Sequence, residues 1–190
     1  MSPVTHFLVG WLTANTCKLE KRDRALVTIA DVIPDADGLG IVPELLTRNS
    51  AHPLNWWSEY HHVLGHNLGF CLLVTGVMAC FARQRGRTAI LVAGSFHLHL
   101  LCDLIGARGP DGDSWPIPYL SPFSTAWQWN WSGQWALNAW PNMLITAMSI
   151  LATLRLAWQR GYSPVEMFSS KAERAVIEVI RRRFPRPATG

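Results

Sequence analysis

Charge is scarce in this chain. Asp, Glu, Lys and Arg make up 16% of its 190 residues, where an ordinary soluble domain carries about 25%. Apolar residues reach 49%, and the mean hydropathy of +0.11 lies above the soluble norm yet below that of a protein mostly embedded in a bilayer. Cysteine is sparse as well. Cys17, Cys71, Cys80 and Cys102 form no CxxC pair, which argues against a thiolate zinc site and reads as buried, reduced thiols. The N-terminus lacks a basic stretch, and Thr5-His6 interrupts its apolar start, so no cleavable signal peptide is expected. No period-two alternation is long enough to argue for a sheet. No internal repeat and no long low-complexity tract is present.

Helical periodicity fills the space left by these absences. The pattern predicts an all-α, up-down bundle of about five main helices, near 4–16, 23–33, 61–82, 88–105 and 137–159, followed by a basic amphipathic helix over 165–183. The second helix should stop at Pro34, because a residue before proline is driven out of the α region. Residues 43–57 and the Gly/Pro/Asp stretch 107–124 read as irregular. The length suits one domain with a real core, here taken as residues 1–164 with a basic tail over 165–190.

Basic residues are unevenly placed. Lys and Arg concentrate at 18–24, 83–87 and 155–186, whereas 107–135 holds Arg108, Asp111 and Asp113. Alternating helices put all three basic regions on one side, as the positive-inside rule asks. Crossing a bilayer takes about 20 apolar residues, which the third, fourth and fifth helices reach and the first two do not. The expected setting is a membrane, with basic loops and tail on its cytoplasmic side. A basic tail suits anionic lipid. No groove-reading motif accompanies it, so nucleic acid is not an expected partner.

Alternation also gathers chemistry. His6 opens the first helix, Asp35 and Asp37 follow the second, His61 and His66 open the third, and His99 and Asp103 close the fourth. In an up-down bundle these four places fall at one end. His99 and Asp103, four apart, share a helix face. Imidazole and carboxylate are ligands for zinc and similar divalent ions. A buried Asp103 without a partner costs several kcal/mol, and a cation is a natural partner. His97, two residues from His99, faces away and reads as packing. His52 and His62 are left aside. His61 and His66 share a role that spacing does not divide.

Thr5-His6-Phe7-Leu8, Pro34-Asp35-Ala36-Asp37, His61-His62-Val63-Leu64-Gly65-His66-Asn67 and His99-Leu100-Leu101-Cys102-Asp103 occur in that order. Together they resemble the bacterial membrane-bound metal-dependent hydrolase family, whose pattern is an N-terminal His, PDxDH, HRxxTHS and HxxxD. The family's loop rich in proline and phenylalanine resembles residues 119–124. Gly38 stands where the family often has His, His62 replaces its Arg, Gly65 its Thr and Asn67 its Ser. That family is in turn similar to zinc-dependent phospholipases C and single-strand nucleases, which are all-helical. The resemblance implies a zinc cluster of one or two ions (manganese is an alternative). It would be held by His6, one Asp of the Asp35/Asp37 turn, His61 or His66, His99 and Asp103, with Asp103 as the bridging ligand.

The expected activity is metal-dependent hydrolysis of a phosphoester, with phospholipid a candidate substrate. Asp35 or Asp37 would serve as general base, and Asn67, Trp115 and Trp127 would contact substrate. Trp115, Trp127, Trp129, Trp131, Trp135 and Trp140 follow the fourth helix, and indole favours the headgroup level. They serve equally as packing that closes the bundle end. Two other readings compete: a non-catalytic membrane protein with a structural metal, and a small transporter, whose ionisable residues would spread along the membrane depth.

Overall fold

The computed structural model describes residues 1–109, 112, 114–124 and 126–185. Asp111, Asp113 and Arg186 lie outside the described residues. Those residues form eight α-helices and two 3₁₀ segments, with two isolated β-bridges and no sheet. The helices are α1 (Pro3–Ala14), α2 (Lys21–Ala30), α3 (Ile41–Thr47), α4 (Trp56–Tyr60), α5 (Leu68–Phe81), α6 (Arg85–Gly106), α7 (Trp140–Arg160) and α8 (Ser170–Arg183). The all-α bundle is as expected. The helix count is higher, because 41–60 contains two short helices where irregular chain was expected.

Local chemistry sets the helix ends. Ser2 caps α1 by accepting from the Thr5 N–H at 3.2 Å, with Pro3 in the first turn, where a missing N–H costs nothing. Gly161 ends α7 at φ +78°, a conformation that glycine adopts without penalty. Ser169 opens α8 by accepting from the Ala172 N–H.

Two differences from the expected boundaries shape the site. α2 ends at Ala30, and the chain tightens into i→i−3 bonds from Asp31 to Thr28 and from Val32 to Ile29 before the 3₁₀ segment Ile33–Gly40. That tightening carries Asp31 inward, fully buried. The expected helix 61–82 begins only at Leu68. The Gly65 N–H donates to Asp37 Oδ2 at 3.0 Å rather than along a helix, and His62 adopts φ +64°. Asn67 then caps α5, accepting from the Phe70 N–H and donating to the Val63 and Leu64 carbonyls. With 14 residues, α5 is about 21 Å long, short of a bilayer's hydrocarbon thickness. α6, with 22 residues, is the one helix among the described residues both long and apolar enough to cross a membrane.

α6 is central, packing on α1, α2 and α5. The core runs through Val27, Ala30, Cys71, Val74, Val92, Phe96 and Leu100, and each fully buried large side chain contributes about 1.5–3 kcal/mol. Of the thiols, Cys71 and Cys102 are buried and Cys17 half-buried, but Cys80 is exposed on α5, correcting its expected burial. α7 is inverted. It buries Asn142, Ser149, Thr153 and Ala157 and exposes Met143, Leu144, Met148, Ile150, Leu151 and Leu154. With 21 residues α7 is long enough to cross a membrane but not apolar enough, which corrects its expected place among the spans.

The basic segments meet one another. Asp23 accepts from the Arg83 and Gln84 N–H groups at 2.9 and 2.8 Å. Arg24 pairs with Glu166, Lys21 donates to Ser170, and Arg160 donates to Asn15. α8 is tied down by Glu173, which accepts from Ser163 through both carboxylate oxygens, and by the Trp158 indole on the Phe184 carbonyl.

α1 and α2 approach closely at Gly10. A Cβ there would lie 2.6 Å from the Asp31 Cβ and 2.9 Å from the Thr28 carbonyl oxygen. Gly10→Ala should therefore force α1 off α2 at a cost of about 1–3 kcal/mol. A lowered midpoint in a tryptophan-fluorescence melt is the expected reading. An unchanged midpoint would mean that the two helices are not in this contact.

Candidate metal centre

His6, Asp31, Asp35, Asp37, His61, His62, His66, His99 and Asp103 form one network joining α1, the end of α2, the 3₁₀ turn, the 61–67 segment and α6. His66 Nε2 and His99 Nε2 face each other at 3.1 Å. Asp103 Oδ2 lies 3.0 Å from the His99 nitrogen and 3.4 Å from that of His66. Asp35 Oδ1 completes the group, at 3.6 Å from His99 and 4.0 Å from His66. On its other side Asp103 Oδ1 meets His6 Nε2 at 3.1 Å and the Met1 amino group.

The ring orientations have identifiable causes. His99 Nδ1–H donates to the Asp31 main-chain carbonyl at 2.7 Å, which turns Nε2 toward the cluster. His66 Nδ1–H donates to Asp37 Oδ2 at 3.2 Å and is oriented the same way. Such outer partners fix the tautomer and direction of a metal-ligating imidazole. Asp37 is thus occupied on both oxygens, because His61 Nδ1 donates to Oδ1 at 2.9 Å. Asp31 Oδ2 accepts from Ser95 Oγ at 2.7 Å, while its Oδ1 faces His6 Nδ1 at 3.5 Å.

The donor set fits a divalent cation. A tetrahedral zinc ion with bonds of about 2.0–2.1 Å has donor–donor edges of about 3.3 Å, and the separations above run from 3.0 to 4.0 Å. His6 Nδ1, Asp31 Oδ1, Asp35 Oδ2, His62 Nδ1 and Asp103 Oδ2 are buried with no hydrogen-bond partner. Buried polar atoms are normally paired. Two overlapping groups have donor atoms within 4.8 Å of one another: His6, Asp35, His99 and Asp103, and His62, His66 and Asp103. Asp103 belongs to both.

Electrostatics agree with this. Burial opposes charge on His66, yet the Asp103 and Asp37 carboxylates raise it to about 9; His6 reaches about 9 because Asp103 outweighs its burial. A proton thus takes the place that a cation would fill, and metal binding at such sites releases protons. Burial works against ionisation of Asp37, but hydrogen bonds from His61 and His66 hold it well below the usual carboxylate range. Burial, with the charge of His66, lowers His62 to about 2, so its ring stays neutral.

The structure separates residues that spacing left together. His66 points into the cluster. His61 hangs from Asp37 and stacks on Trp57 at 3.8 Å between ring centroids. Asp35 offers a free oxygen, whereas both oxygens of Asp37 orient imidazoles. Asn67 spends its amide on capping α5. Trp115 lies 5.3 Å from His61 and 4.5 Å from His62, held through its N–H by Gln134, which also donates to the Asp103 carbonyl. Trp127 is half exposed and packs edge-on against Tyr119 and Trp129. His97 donates to the Ala93 carbonyl and accepts from Tyr119, a packing role. His52 is exposed.

Sequence reasoning missed two members. Asp31, fully buried, had a legible signal: a lone acid inside the apolar run 25–33. His62 had none, since its place beside His66, stacked at 4.3 Å, follows from a backbone turn that pattern does not reveal.

Fold and site together define a membrane-associated helical protein with a His/Asp cluster able to coordinate a divalent metal. The chain belongs to the YdjM inner membrane protein family of bacteria, which it matches over residues 1–176. Comparison with curated proteins and with solved structures gave no match.

Proposed function

We propose that this protein is a metal-dependent hydrolase of phosphoesters in the bacterial inner membrane, using one or two divalent ions, zinc first. The observation that carries this reading is the convergence of His66 Nε2, His99 Nε2, Asp35 Oδ1 and Asp103 Oδ2, with oxygens of Asp35 and Asp103 left unpartnered. In this reading His6, Asp35, His66, His99 and Asp103 would hold the metal, Asp103 being common to both donor groups and His62 available to a second ion. When bound, such ions lower the pKa of a water and draw charge from a phosphoryl group.

The chain's own groups divide the remaining work. With Oδ1 on the side of His66 and His99, Asp35 keeps an unpartnered Oδ2 on a side chain 17% exposed, and that second oxygen would suit the general base. Asp37 is the positioning group, holding His66 toward the metals and His61 toward the cavity. Trp57, His61, His62 and Trp115 wall that cavity, about 380 Å³ in volume, over Asp35 and Asp103. The inverted face of α7 and the length of α6 support insertion. The basic segments would then face the cytoplasm by the positive-inside rule, with α8 against anionic headgroups.

Zinc should protect the purified protein. At a concentration one hundred times its Kd, bound ligand adds about 2.7 kcal/mol, read as a raised melting midpoint that EDTA reverses. Zinc-loaded protein should also hydrolyse bis(p-nitrophenyl) phosphate, and His99→Ala should lose both effects. A midpoint indifferent to zinc removes the metal. Protection without hydrolysis of any phosphoester favours the structural-metal reading, which the burial of His66, His99 and Asp103 otherwise supports.

A further inference from the structure

A second cavity, about 500 Å³, reaches the same cluster at Asp35. Its walls come from α1 (Phe7), α2 (Ala25, Ile29), the 3₁₀ turn (Leu39) and Phe168. Every lining side chain is apolar except one, Asp35. Pro3, Asp35 and Leu39 also line the cavity over Asp103, and that cavity shares Trp57, His61, His62 and Trp115 with a third, which adds Ser58, Ser121 and Gln128. The lining is therefore continuous. It runs from an apolar groove, across the cluster at Asp35, to a pocket of imidazole, indole, hydroxyl and amide groups.

The order of these surfaces matches the order of groups along an amphiphile. Resting on the phosphoesterase reading above, we propose that the Phe7–Ile29–Phe168 groove holds the alkyl chain of an amphiphilic phosphoester. Its phosphoryl group would lie at Asp35 and Asp103, and its polar headgroup in the Trp57–Trp115 pocket. The groove's single polar wall is a member of the ligand cluster, so whatever fills the groove ends at the cluster. Its rim is open and apolar: Ile29 is 42%, Leu39 69% and Phe168 76% exposed. A chain drawn from surrounding lipid can enter over that rim without crossing a polar barrier. Pockets of this size that combine apolar walls with a few convergent polar groups are the usual ligand sites.

The test uses n-alkylphosphonates of two to ten carbons, whose C–P bond resists hydrolysis, titrated into zinc-loaded full-length protein in detergent. Each methylene entering the groove should tighten binding about fourfold, until the groove is full. Partition into micelles raises apparent affinity with chain length as well, so the reading is the slope relative to two variants. Ala25→Trp fills the groove from α2, away from the cluster, and should remove the excess slope while leaving zinc content and ethylphosphonate affinity unchanged. Phe168→Ala opens an exposed rim that folding tolerates, and should weaken decylphosphonate about threefold to tenfold with ethylphosphonate unchanged. Equal slopes in all three proteins overturn the groove and leave the phosphoesterase reading standing. A slope lost in the variants but no binding of ethylphosphonate keeps the groove and removes the phosphoester. No binding at any chain length removes both.

Discussion

Asp103→Ala should abolish metal binding and destabilise the protein by about 3–5 kcal/mol. Its side chain is 2% exposed and stands between the Met1 amino group and His6 on one oxygen and His66 and His99 on the other. Removing the carboxylate leaves a buried ammonium and a group of imidazoles without their anion. It also removes the ligand common to both donor groups. Asp103→Asn separates the two effects, since it keeps shape and hydrogen-bonding capacity but not charge. It should retain most of the stability and still lose the metal. Elemental analysis of the purified protein beside Asp103→Ala, Asp103→Asn and His99→Ala reads the first effect, and a fluorescence melt reads the second. Metal content unchanged in all three variants would end the metal assignment.

Gly65→Thr, which restores the residue of the hydrolase pattern, should damage this protein. A Cβ at position 65 would lie 2.2 Å from the Pro34 carbonyl oxygen, 2.9 Å from its carbonyl carbon and 3.0 Å from its Cα. All three atoms are backbone, so no rotamer change relieves the contact. The 61–67 segment and the 3₁₀ turn must part by roughly an ångström or more, and catalytic constellations tolerate about 0.5 Å. Asp35 adjoins Pro34 and His66 adjoins Gly65, so the movement separates two proposed ligands. Metal affinity should fall at least as far as for loss of an orienting partner, about 10–100-fold. Stability should fall by about 1–3 kcal/mol. Gly76→Ala, with nothing within 4 Å of its Cβ, is the control and should be neutral or stabilising by up to about 1 kcal/mol. Wild-type zinc affinity in Gly65→Thr would show that the segments are not in contact.

The departures from the hydrolase pattern acquire physical content here. Gly65 permits the close approach to Pro34. His62, in place of arginine, is a neutral ring stacked on His66. Asn67, in place of serine, ends the turn and begins α5. At Gly38, a Cβ would meet the His61 and Trp57 rings at 3.3 Å, so a histidine there would compete for the space His61 occupies.

Periodicity and helix alternation were enough to determine an all-helical chain and to bring His6, Asp35, Asp37, His61, His66, His99 and Asp103 near one another. These follow from local rules: a 3.6-residue repeat and short connections that reverse direction. Tertiary structure decided the rest, because it depends on where a hydrogen bond goes when two partners compete. The Gly65 N–H chose the Asp37 carboxylate over a helical carbonyl, which unwound 61–67, shortened α5 below membrane length, and set His62 beside His66. Asp31 joined the cluster because its carbonyl accepts from His99 across two helices. Asp35 and Asp37, alike in sequence, became unlike because Asp37 is hydrogen-bonded by two imidazoles, one on each oxygen, whereas Asp35 keeps an oxygen without a partner.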